Sequence, residues 1–166
     1  MAQNPSETKR STCEQESDRI QEFFIRPFFL SFSIGIPFCI FKLLFGVTAV
    51  RIGSATSPAL GFFGWFIIVW AGTDLIMNIG RALLDLIHRP ALYEYCTIAQ
   101  VGKVMNQPMV FLAIDTVLTF TIICVMLWSG WIIQLTPIQM FLWYAATTAN
   151  LISLSLVSLY NEIRKD

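Results

Sequence analysis

LGFFGWFIIVWAGTDLIMNIG, Leu60–Gly80, decides the class of this protein. As a helix this stretch is about 30 Å long, which is the thickness of a bilayer's hydrocarbon core. Its single charged residue is Asp74. A second stretch, PMVFLAIDTVLTFTIICVMLWSGW (Pro108–Trp131), repeats the pattern with Asp115 as its only charge. A carboxylate in hydrocarbon costs at least about 2.5 kcal/mol, so such residues face protein or water and are paired or functional.

Composition agrees. Hydrophobic residues make up 55% of the 166 and charged residues 13%, against about 25% charged in soluble domains. The net charge is zero, and nothing points to a nucleic-acid partner. Cys13, Cys39, Cys96 and Cys124 form no CxxC or zinc spacing. Cys39 and Cys124 lie in apolar runs, where a thiol acts as a small hydrophobe. No structural disulfide is expected.

Outward from these two stretches the chain reads as an all-α integral membrane protein, a bundle of four transmembrane helices. Residues 1–18 are polar and read as a flexible tail. Residues 19–166 form the transmembrane domain, with spans at about 27–50, 60–80, 108–131 and 137–160. The segment from Arg19 to Arg26 is amphipathic and reads as a short helix on the membrane surface, as does part of the stretch from Ala91 to Gln107. Pro37 deprives the Ser33 carbonyl of a helical donor and predicts a kink. RIGSATSP after span one is a loop. The helix of span two continues past the lipid to the Arg89–Pro90 step. Spans three and four, joined by a short uncharged connection, form an antiparallel hairpin. The first apolar run follows a segment with five acids rather than a basic leader, so span one serves as its own insertion signal.

Lys and Arg set the orientation. Lys9, Arg10, Arg19, Arg26, Arg81, Arg89, Lys103, Arg164 and Lys165 fall on one side, Arg51 on the other. Both termini are therefore expected in the cytoplasm or its equivalent. Trp65, Trp128, Trp131 and Trp143 read as an outer aromatic belt, with Tyr93, Tyr95 and Tyr160 at the inner boundary. A bacterial cytoplasmic membrane is the working expectation, and a thylakoid or other internal membrane fits the same pattern.

The candidate polar network is Lys42, Asp74, Asn78, Arg81, Asp85, Asp115 and Asn150. Gly64, Ile67, Ala71, Asp74, Asn78, Arg81 and Asp85 share one helix face, and a local Asn78/Arg81 network is expected to neutralise Asp74. Asp115 falls at nearly the depth of Asp74. Two level acids facing each other without a cation would hold a proton between them, which suits proton or cation transport or a hydrolytic dyad. Lys42 shares a small-residue stripe with Ser31, Gly35, Cys39 and Gly46. Rise counting sets it about 10 Å or more above the acids, too far for a direct pair, so it is expected to snorkel to the outer headgroups. On span four Gln139, Ala146, Asn150 and Ser153 form a polar packing face. His88, the only histidine, reads as a boundary residue, since one imidazole builds no multi-ligand metal centre.

No nucleophile elbow, phosphate loop or HExxH occurs. The sequence names no catalytic, metal or cofactor residue and leans away from an enzyme. The expected role is a non-enzymatic subunit or assembly factor of a larger membrane complex, with lipids and other membrane subunits or further copies of the chain as partners. The alternatives are a proton- or cation-coupled transporter or channel using Asp74 and Asp115, and an intramembrane aspartyl hydrolase.

Overall fold

Prolines set where the long helices begin. In the computed structural model Pro58, Pro108 and Pro137 each open a helix, where a missing N–H leaves no bond unmade and φ is already helical. The structure describes residues 29, 31–89, 94 and 96–163, without the side chains of 157, 160, 161 and 163. The expected tail, the Arg19–Arg26 surface helix, Cys13, Tyr93 and Tyr95 lie outside the described residues, as does the Tyr160 side chain.

A π-helical turn, Ser31–Gly35, leads into α1, Ile36–Thr56. Then follow α2, Pro58–Leu86, the short α3, Thr97–Val104, and α4, Pro108–Trp128. A 3₁₀ turn, Trp131–Gln134, connects to α5, Pro137–Ile163. No strand occurs among the described residues. Among the described residues three segments are long and apolar enough to cross a membrane: Ser31–Thr56, Pro58–Leu86 and Pro108–Trp128. The fourth expected span, α5, is as long, with 27 residues, but is not one of the three; it carries more polar groups, among them Gln139, Thr147, Asn150 and Ser153.

The irregularity expected at Pro37 is the π turn immediately before it. The Ser33 carbonyl, left without its helical donor, lies 3.4 Å from Ser153 Oγ of α5, a hydroxyl that donates more closely to Ala149 O at 2.8 Å.

Helix α1 is the centre, and α2, α4 and α5 pack on it. Glycines let α1 and α2 cross almost backbone to backbone. A Cβ on Gly64 would lie 2.7 Å from Val50 N and 2.8 Å from Gly46 O, and one on Gly53 would lie 2.3 Å from Gly61 N. This small-residue seam is one way membrane helices associate. On the other side of α1, Phe41 meets Trp143 edge to face at 4.9 Å, and Phe45 stacks on Trp131 at 5.6 Å. Trp143 is thus a core residue, 4% exposed, and not part of a boundary belt. Its neighbours at helical spacing, Ala146, Asn150 and Ser153, turn the same face to α1.

The α4–α5 connection is built by local chemistry. Gly130 takes φ +72° and ends α4. Thr136 and Gln139 then form a reciprocal capping box, with Thr136 N donating to Gln139 Oε1 at 3.0 Å and Gln139 N to Thr136 Oγ1 at 3.4 Å. Arg51, from the end of α1, donates to Gln134 O at 2.8 Å and to Gln139 Oε1 at 3.4 Å. The two arms pack on α1 rather than extensively on each other. The stretch read as a surface helix holds α3, which folds back on the start of α4, with Gly102 against the Phe111 ring.

Candidate functional site: a buried lysine between two aspartates

Lys42 Nζ lies 3.1 Å from Asp74 Oδ2 and 2.5 Å from Asp115 Oδ1. One ammonium therefore joins α1, α2 and α4. Lys42 and Asp74 are 1% or less exposed and Asp115 is 5%, which makes the triad one of the most deeply buried parts of the molecule. The Trp70 ring covers the ammonium at 4.4 Å from its centroid, a cation–π contact that adds to the ion pairs.

This overturns the expectation that Lys42 stands too far from the acids and snorkels outward. The sequence estimate counted rise from assumed membrane edges, with that of span two at Gly80, and not from the register of the two helices. Gly53 faces Gly61 and Gly35 faces Asn78, so the crossing sets Lys42 about level with Ala71, roughly 4.5 Å of helix rise from Asp74. The Cα–Cβ bonds of a helix tilt toward its N-terminus. Since α1 and α2 are antiparallel, Lys42 and Asp74 lean toward each other and close the remaining gap.

The second oxygen of Asp74 is held from a direction the sequence did not suggest. Thr97 N donates to Asp74 Oδ1 at 2.7 Å and Thr97 Oγ1 at 2.8 Å. These are the first backbone N–H and hydroxyl of α3, and a helix N-terminus favours a carboxylate. Cys96 caps α3, its Sγ accepting from Ala99 N at 3.4 Å. Burial, with the nearby Asp115 carboxylate, pushes the Cys96 thiol up to about 12. Nothing in the spacing of Thr97 or Cys96 marks them, because their role depends on where the chain returns after α2.

The other expected members of the network take separate places. Asn78 Nδ2 donates to the backbone carbonyl of Asp74 at 3.0 Å and to Cys39 Sγ at 3.8 Å, so it braces the helix turn rather than the carboxylate. Arg81 pairs with Glu94 at 3.6 Å, as does Lys103 at 3.4 Å. The expected Asn78/Arg81 neutralisation of Asp74 is therefore replaced by Lys42 and Thr97. Asp85 lies half-buried about 16 Å further along α2, outside the triad. Asn150 comes in from α5, 7% exposed. His88, at φ +56°, sits just past the end of α2.

Between α1, α4 and α5 a half-open cleft of about 290 Å³ reaches the triad. Its walls include Ile34, Phe38, Leu112 and Phe120, and its polar floor includes Lys42, Asp115 and Asn150. It exists because the arms of the α4–α5 hairpin diverge over α1. Comparison with known protein families, curated proteins and solved structures finds no match for this chain.

Proposed function

We propose that this chain spans the membrane four times, with both ends on the cytoplasmic side, and serves as a non-enzymatic subunit or assembly factor of a larger membrane complex. The observation that carries this reading is the imbalance of burial among its helices. In the first apolar helix 61% of the most hydrophobic stretch is buried inside the molecule, against 22% in α2 and 17% in α4. The uncovered faces carry large apolar groups such as Phe62, Phe66, Ile76, Met109 and Val117. Lipid covers such faces, and so do further helices. With α1 already enclosed, α2 and α4 offer the broad seams on which other subunits or copies would pack.

The triad supports the same reading. Lys42 and Thr97 engage both oxygens of Asp74, and Lys42 takes one of Asp115. Acids tied to a lysine fix helix register, whereas a hydrolytic dyad needs two carboxyl groups sharing a proton over a bound water. The triad therefore gives the hydrolase reading no support. Transport is the second reading, favoured by one observation: the cleft reaches Lys42, Asp74 and Asp115 instead of leaving them sealed in packed protein.

The test is extraction of the chain from its own membrane in mild detergent. The subunit reading expects a complex of fixed stoichiometry, and no proton or cation flux when the chain alone is reconstituted in liposomes. A lone monomer overturns it, and flux abolished by Asp74→Asn or Asp115→Asn replaces it with transport.

A further inference from the structure

We propose that the cleft between α1, α4 and α5 is a binding site for a protonated amine carrying an apolar body. The inference goes beyond the subunit reading and does not rest on it.

Charge comes first. Lys42, Asp74 and Asp115 bring two carboxylates and one ammonium to a single buried cluster, an excess of one negative charge. Both oxygens of Asp74 are already engaged, one by Lys42 and the other by Thr97. Asp115 lies at the cleft floor, and the excess charge is presented there. A cation entering the cleft restores neutrality in surroundings that penalise an uncompensated charge.

Asn150 supplies an independent observation. The residue is 7% exposed and lines the same cleft as the acids. Its Oδ1 has no hydrogen-bond partner among the described residues. An unmade bond of this kind costs about 1–3 kcal/mol, and a donor in the cleft would relieve it. A protonated amine has several N–H donors, enough for Asp115 and Asn150 together. Its charge and its donors thus meet both needs of the floor at once.

The walls decide against a bare metal ion. Ile34, Phe38, Leu112, Phe120 and Leu154 offer no ligand atoms, and a hydrated ion would press its waters against them. Phe38 and Phe120 meet edge to face at 5.7 Å and form an aromatic wall suited to a ring or short alkyl chain. About 290 Å³ is near the lower end of the range for small-molecule pockets. It suits a compact single-bodied amine and excludes a two-chain lipid.

The full chain in phosphatidylcholine nanodiscs, whose headgroup has no N–H, provides the test. The probe is 4-phenylbutylamine, with 4-phenylbutanol and 4-phenylbutyrate as the neutral and anionic counterparts. Saturable binding is read by calorimetry and by Trp fluorescence, since Trp70 covers Lys42. The amine is expected to bind about tenfold or more tightly than the alcohol, with the acid weakest. Asn150→Leu, which removes the acceptor and fills the cleft, and Asp115→Asn are each expected to weaken the amine about tenfold or more. Equal binding of all three probes, no saturable binding, or full affinity in a folded Asn150→Leu protein would overturn the proposal. If neither variant folds, the amine-to-alcohol ratio of the unmodified chain decides alone.

Discussion

Replacing Lys42 by Met tests the centre of the structure. Met keeps the length and apolar stem of lysine but removes the charge, leaving Asp74 and Asp115 buried without the cation that lies 3.1 and 2.5 Å from them. Removing one partner of a buried ion pair costs about 3–5 kcal/mol, because the remaining charge is uncompensated. Asp74 keeps its two bonds from Thr97, so most of the penalty falls on Asp115. The single variant is therefore expected to lose about 3–5 kcal/mol. Adding Asp115→Asn should recover much of that, because two carboxylates no longer share one buried site. Unfolding in mixed micelles, followed by far-UV circular dichroism and Trp fluorescence, measures both. A loss below about 1 kcal/mol, or a double variant no more stable than Lys42→Met, would refute the reasoning. Either result would place the ammonium outside the aspartate pair.

Two further outcomes follow from packing and protonation. Gly64→Leu drives a side chain into the backbone of Val50 and Gly46, which would lie within 2.8 Å of its Cβ. The α1–α2 pair must part, and a loss of about 1–3 kcal/mol or more is expected in the same assay, whereas Gly72→Leu, with open space around it, should be tolerated. The Cys96 thiol, raised from the usual 9.0 to about 12, should resist maleimide or iodoacetamide at pH 8 in the folded protein and react once unfolded. Since its folded value is the higher one, its contribution to stability is complete below about pH 9 and is lost as the pH rises from 9 to 12. Rapid labelling of Cys96 itself in the folded chain at pH 8, or a Cys96→Ala variant with the same alkaline decline, would contradict this.

Local patterns announced much of the architecture. The length of the apolar runs marked the helices, since a segment that buries few polar groups over about 20 residues has few other uses. Pro108 and Pro137 marked where α4 and α5 start, whereas the expected loop RIGSATSP is helical to Thr56 and Pro58 already opens α2, with only Ser57 between the two helices. The steps of three and four on α2 identified the buried face of Gly64, Ile67, Ala71, Asp74 and Asn78. Pro37 marked the irregularity at the start of α1.

The partners of the charges were decided elsewhere. Whether Lys42 reaches Asp74 depends on the register of the α1–α2 crossing, set by Gly46, Gly53, Gly61 and Gly64 meeting backbone to backbone, and on the tilt of side chains on antiparallel helices. Counting rise from an assumed membrane edge misses both. Thr97 and Cys96 became part of the site only because the chain leaving α2 folds α3 back under Asp74. Trp143 moved from boundary to core for the same reason, since α5 turns that face to α1. A sequence states which groups cannot remain alone in an apolar medium. Which partner each one finds is settled only when helices far apart in the chain take a common register.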